Sequence, residues 1–230
     1  MKLYVYCLAE NIEPPAETVS GISGARVDVL NLEGFSLLVS EFEGDTIPVT
    51  RDNALAHAAV VRSILNKTTP LPFRFGTVSD EQRLRRYVAS HRAALENNLA
   101  HVSGCIEMSV KIIWNTDQTD LTLDSLPAGP GARFLKEKQL RAAKAKEVAA
   151  WLQEQLRTFI KDEQMSLGPT EKLIVAAAHL VARDSIQEYR DHLAETRKLR
   201  PELHFLVSGP WPPYSFSNID LEFKTRFGVS

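Results

Sequence analysis

Residues 132–163, ARFLKEKQLRAAKAKEVAAWLQEQLRTFIKDE, decide how the chain is read, because neither Gly nor Pro interrupts them. In their second half Val148, Trp151, Leu152, Leu156, Phe159 and Ile160 recur at helical spacing and mark one apolar face. The first half is basic: Arg133, Lys136, Lys138, Arg141, Lys144 and Lys146 stand against Glu137 and Glu147. A helix over the whole stretch spans roughly 45–50 Å at ~1.5 Å per residue, more than the width of a small domain. Part of it is expected to project, or to pack along a second layer.

The flanks supply the rest of the pattern. Residues 105–114, CIEMSVKIIW, read as a strand, and 115–131 as a polar loop carrying Pro127, Gly129, Pro130 and Gly131. Beyond the helix, Gly168 and Pro169 turn the chain into a buried strand over 173–182, LIVAAAHLVA, with a short strand expected just before the turn, near 165–167. Ser185 and Glu188 have capping-box spacing for a helix through Lys198, with Ile186, Tyr189 and Leu193 inward. Residues 203–207 form a last strand. Strand, helix, strand, strand, helix, strand is the order of a ferredoxin-like domain.

The first half reads as an irregular relative of the same plan. Residues 2–8 alternate Leu3, Val5 and Cys7 with Lys2, Tyr4 and Tyr6, as a strand does. Residues 11–24 form a loop with room for a short helical turn. Residues 26–32 and 35–42 flank a hairpin turn over 31–34. Thr50 caps a helix to about Asn66 with Leu55, Ala58, Val61 and Leu65 on one face. Residues 71–78 alternate again, and Pro72 places that strand at a sheet edge. Ser79 and Gln82 offer a capping box for the next helix, whose stripe of Leu84, Tyr87, Val88, His91, Leu95, Leu99 and Val102 ends at Gly104. The fold class is therefore α+β in two domains: 1–104, an irregular ferredoxin-like unit; 105–216, a ferredoxin-like unit with one long helix; and a tail over 217–230.

Composition narrows the functional classes. Hydrophobic residues make up 44% of the 230, enough for a real core. Lys and Arg number 27 against 29 Asp and Glu. That balance gives no global pull toward nucleic acid or anionic membrane, and it lacks the acidic excess of a protein built for a very salty cytoplasm. Two thiols, Cys7 and Cys105, without repeated spacing fit a reducing compartment. The N-terminus carries no signal-peptide pattern, and no apolar run approaches the ~20 residues of a membrane span. The expected location is cytoplasmic.

No pattern of residues announces catalysis or a metal. The six histidines make neither HExxH nor a Cys/His cluster, and GxSxG, P-loop and GxGxxG patterns are all missing. No catalytic residue, cofactor or metal is therefore expected. His57 is read as a packing residue, not as a base or ligand. Gly129-Pro130-Gly131 is read as a sharp turn into the long helix in preference to an anion cradle. Arg74, between Phe73 and Phe75, suits a partner carboxylate or a structural pair with Asp80 or Glu81, and alternation alone does not choose. The basic run has no aromatic residues for stacking on bases, so Arg133, Lys136, Arg141 and Lys144 suit a solvated face or an acidic protein partner. Residues 209–216 carry three prolines and three aromatics, and present Trp211 and Tyr214 either as a rigid stop folded over a sheet or as a docking surface.

Several motifs carry a resemblance. Leu71-Pro-Phe-Arg-Phe-Gly-Thr, after a helix containing Ala56-His57, is similar to the LPxRFGT segment of the gas vesicle protein family GvpL/GvpF. Gly209-Pro-Trp-Pro-Pro-Tyr-Ser-Phe resembles the GPWPPYSF ending of that family. Glu107 to Trp114 is similar to its E-x-x-V-K-x-x-W strand, and Leu180-Val-Ala-Arg-Asp to its LV-x-R strand end. Gly129-Pro-Gly-Ala-Arg-Phe-Leu-Lys-Glu-Lys resembles its helix start, with Phe134 where the family usually has Tyr. The resemblance runs in order along nearly the whole chain. It implies a non-enzymatic accessory or minor structural protein of gas vesicles. Its implied partners are the main small shell protein and other gas vesicle accessory proteins, with neither nucleic acid nor membrane. The tail departs from the family pattern, which tends to finish soon after its Ser-Phe. A second reading is a dimeric α+β-barrel protein holding a small ligand near His57 and Arg74; the lack of a paired acid and base weighs against it.

Overall fold

Strand β1 (Lys2–Ala9) is buried over its last seven residues. Side chains alternate between faces, so the sheet around β1 is covered on both sides. β2 (Asp28–Leu32) and β3 (Phe35–Phe42) form the expected hairpin, with Leu32 paired to Phe35 across Glu33 and Gly34. Both turn residues have positive φ, 50° and 90°, which suits the right-handed twist of a two-residue hairpin. Helices α1 (Arg51–Leu65) and α2 (Glu81–Val102) both pack on β1. The strand order is β2-β3-β1-β4, and β5 also pairs with β1; β4 is Leu71–Pro72 and β5 Val78–Ser79.

The computed structural model describes residues 2–15, 19–44, 46–114, 129–168, 170 and 172–219. It divides into two compact units, Met1–Ile106 with Trp211–Ser230, and Glu107–Pro210. Trp211 to Ile219 pack within the first unit, where the sequence reading grouped residues up to 216 with the second. Most of the loop expected over 115–131, and the end of the tail, lie outside the described residues.

Several local expectations in the first unit shift. The 71–78 strand breaks in two, because a turn at Gly76, φ 87°, separates β4 from β5. Pro72 does sit at the edge, opposite Cys7. In α1, Thr50 caps as expected, its side chain accepting from the Asn53 N–H at 3.2 Å. The buried face, however, is His57, Val60, Val61, Ile64 and Leu65, and Leu55 is 56% exposed. Alanines on several sides leave the apolar stripe ambiguous, and contact of His57 with Tyr4 fixes it. In α2 the cap is Asp80, whose Oδ1 accepts from the Arg83 N–H at 2.8 Å; no Ser79 capping box forms. His91 is exposed, stacked on Tyr87 at 4.5 Å, not at the core edge.

The second unit contains β6 (Cys105–Trp114), α3 (Pro130–Leu156), β7 (Asp162–Leu167), β8 (Leu173–Ala182), α4 (Ile186–Lys198) and β9 (Leu203–Trp211). Its sheet order is β7-β8-β6-β9. The long helix stops at Leu156, seven residues short of the expected end, and so spans about 40 Å. The backbone beyond is drawn into the sheet: the Lys161 N–H donates to the Leu180 carbonyl at 2.8 Å, and Asp162 pairs with Leu180. Phe159 and Ile160 thus lie outside the helix. Ser185 precedes α4 without a side-chain capping bond, after a short 3-10 turn over Arg183–Ser185. β9 runs past 207 through a cis Gly209–Pro210 bond to Trp211. At Gly209, φ 126°, an added Cβ would come within 2.7 Å of Met108 Sδ and 2.9 Å of the Glu107 carbonyl. Cys7 and Cys105 are buried thiols, and burial pushes the Cys7 thiol far up. Among the described residues no helix is long and apolar enough to cross a membrane.

Candidate functional site

Within the second unit, a cavity of about 510 Å³ opens between the first half of α3 and the ends of β7 and β8. Its cause is a difference in length. At 100° per residue, Phe134, Lys138, Arg141, Ala145, Val148, Leu152 and Leu156 fall on one face of α3. From Ala145 onward that face is buried. Before Ala145 it outruns its cover and becomes the wall of the cavity, with Trp114, Leu167, Leu173 and Ile174 across from it. Lys138, Arg141 and Lys146 line it together with one acid, Glu137. Phe134, Leu135 and Leu167 are 61%, 60% and 44% exposed.

The four basic residues chosen from sequence do not form one patch. Arg141 is half-buried in the cavity wall. Lys136 is exposed and two residues from Lys138, about 200° round the helix and so on its far side. The Lys144 ammonium lies 2.8 Å from Glu147, which Arg200 also approaches at 3.3 Å. The hydrogen bond from Lys144, above all, holds the Glu147 carboxyl below the usual range. Arg133 lies in the first turn of α3. Sequence reasoning did not single out Lys138 and Lys146, although their spacing from the buried Ala145 and Leu152 places Lys138 on the inward stripe and Lys146 at its margin.

In the first unit, the Pro-aromatic segment folds over α1 and the 71–79 region. The Arg62 guanidinium lies 5.5 Å from the Trp211 ring centroid, and the Tyr214 ring 6.3 Å from that of His57. Phe216 and Ile219 are each 3% exposed. Ser217 Oγ donates to the Pro72 carbonyl at 3.1 Å, and Asn98 Nδ2 to that of Asn218 at 3.3 Å. Trp211 and Tyr214 themselves stay 37% and 38% exposed. The segment is therefore anchored by Phe216 and Ile219 while its two outer rings face solvent.

Arg74 is exposed in the turn after β4, whose carbonyl accepts from the Thr77 N–H and Oγ1 at 3.2 and 2.7 Å. Strand alternation does not hold there, because the strand has already ended. His57 is 3% exposed and ringed by Tyr4, Tyr6 and Phe75. Its Nδ1 lies 2.8 Å from Tyr4 Oη. That oxygen also accepts from the Gly76 N–H at 3.2 Å. Nε2 finds no hydrogen-bond partner of good geometry. Burial lowers the His57 pKa to about 4, with the Phe73 backbone opposing in part. A walled-in neutral imidazole does not line a ligand pocket with Arg74.

A second buried histidine escaped the sequence reading. His179 on β8 is fully buried, its Nδ1 2.7 Å from Tyr189 Oη on α4 and its Nε2 3.1 Å from Glu163 Oε1 on β7. Gln153 Nε2 donates to the other oxygen of Glu163 at 3.0 Å. Burial raises the Tyr189 phenol well above its ordinary value, as the Glu163 charge does to a lesser extent. A histidine in the middle of an apolar strand was the available signal.

The described residues thus carry an apolar cavity lined by cations in the second unit and two partly exposed aromatic rings in the first. The sequence model of the gas vesicle synthesis protein GvpL/GvpF family matches residues 2–218, and the chain belongs to that family. It is 26% identical to gas vesicle protein L2 of Halobacterium salinarum, over 93% of this chain and 90% of that one. It is 27% identical to gas vesicle protein F2 of the same organism, over 95% and 93%. The fold is similar to the crystal structure of GvpF from Anabaena sp. PCC7120, with a TM-score of 0.80 at 22% identity over 95% of this chain and 97% of that one. It is also similar to GvpF from Microcystis aeruginosa, with a TM-score of 0.77 at 20% identity over 95% and 99%.

Proposed function

We infer that this protein acts in gas vesicle formation as a non-catalytic accessory or minor structural component that binds the main shell protein. The observation that carries this reading is the family match over residues 2–218, joined to relatives that are gas vesicle proteins of both L and F type. It works in the cytoplasm, associated with gas vesicles, and meets other accessory proteins as well as the shell subunit. Arg74, Arg133, Lys136, Arg141, Lys144, Trp211 and Tyr214 are the proposed contact residues.

We also read the second unit as ferredoxin-like: its β-α-β-β-α-β order and β7-β8-β6-β9 sheet support that description. The first unit is its irregular relative, and the boundary expected between 104 and 105 separates the two folding domains, with Trp211 to Ile219 returning to the first. Apolar contacts carry most of the affinity, because exposed charge pairs contribute only about 0–1 kcal/mol each. The charges set orientation and association rate. The test is capture of purified shell subunit by the full chain, followed by stopped-flow association of the K136E/R141E/K144E variant. Slower, less salt-sensitive association is expected; failure of the wild type to capture the subunit would remove the reading.

A further inference from the structure

The cavity under α3 asks what it is for. The interior-facing stripe of a helix is normally apolar where it meets a sheet. Here the stripe continues past the sheet with Lys138 and Arg141 on it, and the hollow they enclose is floored by Trp114, Leu173 and Ile174. A volume of about 510 Å³ falls within the usual range for a ligand pocket, about 300–1,000 Å³. Two features argue against a small molecule. Apolar surface runs from Phe134 and Leu167 at the hollow on to Leu135 beside it, and all three are more than 40% exposed. The cations are spread along about two turns of helix, not converged on one point. An extended amphipathic ligand fits that layout better than a compact one.

Charge complementarity sets the sign of that ligand. Among the described residues, three cations and one carboxylate line the cavity. Cations with long aliphatic stems can lie along an apolar wall and keep their heads at its rim. Such a rim selects a partner with carboxylates flanking its apolar face and repels a basic one.

We propose that the groove between α3 and the ends of β7 and β8 is a docking site for an acidic amphipathic segment of a partner protein, its apolar face entering the hollow and its carboxylates meeting Lys138, Arg141 and Lys146. The proposal deepens the functional reading above and rests on it for the partner's context.

The probe is a fluorescein-labelled helical peptide with Leu on one face and Glu on the other, titrated into the full-length protein by fluorescence anisotropy. Controls carry Ser for Leu, or Lys for Glu. Ala142 lines the groove and is exposed, so Ala142→Trp fills the hollow without disturbing the core. The expected results are saturable binding of the Leu/Glu peptide and at least about tenfold weaker binding of either control or to Ala142→Trp. The K138E/R141E/K146E variant loses binding together with its salt dependence. No saturable binding by the wild type, or undiminished binding by Ala142→Trp, overturns the proposal. Concentration-dependent self-association of the wild type that Ala142→Trp abolishes would assign the groove to a second copy and also overturn it. Shell-subunit capture is measured on the same proteins. Capture without peptide binding leaves the functional reading and removes the groove; peptide binding without capture does the reverse.

Discussion

Each unit buries one histidine against one tyrosine, and the two sites differ in what lies beyond the imidazole. In the first unit Tyr4 Oη meets His57 Nδ1, and the far nitrogen meets no well-placed partner. In the second, Tyr189 meets His179 Nδ1, and Glu163, itself held by Gln153, meets Nε2. An imidazole among rings stays neutral because burial disfavours its charge. An imidazole ending on a carboxylate has both of its ring nitrogens partnered. The two sites share one pairing and differ in whether the far nitrogen is anchored. Each also ties a helix to a strand at a single register, since a buried polar atom left alone costs about 1–3 kcal/mol.

The comparison breaks most severely by removing the cover from one side. Truncation after Pro210 deletes Phe216 and Ile219 from the first unit, and Tyr214 from beside His57. Loss of one buried aromatic costs about 3–5 kcal/mol, a large part of the stability of a domain. Hydrogen exchange should then show amides around Tyr4 and His57 opening while those around His179 keep their protection. Equal loss in both units would show that the segment stabilises the whole chain.

Acid tests the His57 side next. Its folded pKa of about 4 lies below the ordinary 6.5, so the unfolded chain binds more protons between those values. Stability should be full above pH 6.5, fall as pH drops toward 4, and lose about 3 kcal/mol in total from this group. Urea melts of wild type and His57→Asn across that window isolate the effect, and the variant should show a shallower slope. Parallel slopes would mean that His57 is not the titrating group.

Removing the phenol oxygens sharpens the pairing itself. Tyr4→Phe leaves both His57 Nδ1 and the Gly76 N–H without their partner. Tyr189→Phe leaves only His179 Nδ1. Each should lower stability by about 1–3 kcal/mol, with Tyr4→Phe the larger, by thermal melts at pH 7. The smallest effect is expected from Glu163→Gln. The amide oxygen still accepts from His179, and the exposed Gln153 amide can turn its oxygen to the new NH2, so the charge-assisted part of the bonding is lost, about 1 kcal/mol. If Glu163→Gln proved costlier than Tyr189→Phe, the carboxylate and not the phenol would be the main anchor of His179.

Elements with strong local signals were legible in the sequence. The Glu33-Gly34 hairpin, the Thr50 cap, the edge position of Pro72 and the β8 strand all followed from turn, capping and periodicity rules. The stripe on α1 was not, because its alanines leave two faces nearly equal and His57 on β1's side breaks the tie. Nor was the end of α3: residues 157–161 keep helical composition, and only the ladder to Leu180 shows where the chain leaves the helix. For the candidate site, the basic run was visible, but not which of its members share a face with the core.

What the sequence determined by itself was the class: α+β, the order of elements, and membership of the GvpL/GvpF family through motifs spread from Leu71 to Phe216. These rest on local propensity and on residue patterns, which need no partner in space to be read. The tertiary structure alone decided that Trp211 to Ile219 packs with the first unit, that His179 meets both Tyr189 and Glu163, and that Lys138, Arg141 and Lys146 line an apolar hollow. Each of those depends on which strand a helix outruns or which ring a side chain meets. Such contacts join residues far apart in the chain, and no local pattern records them.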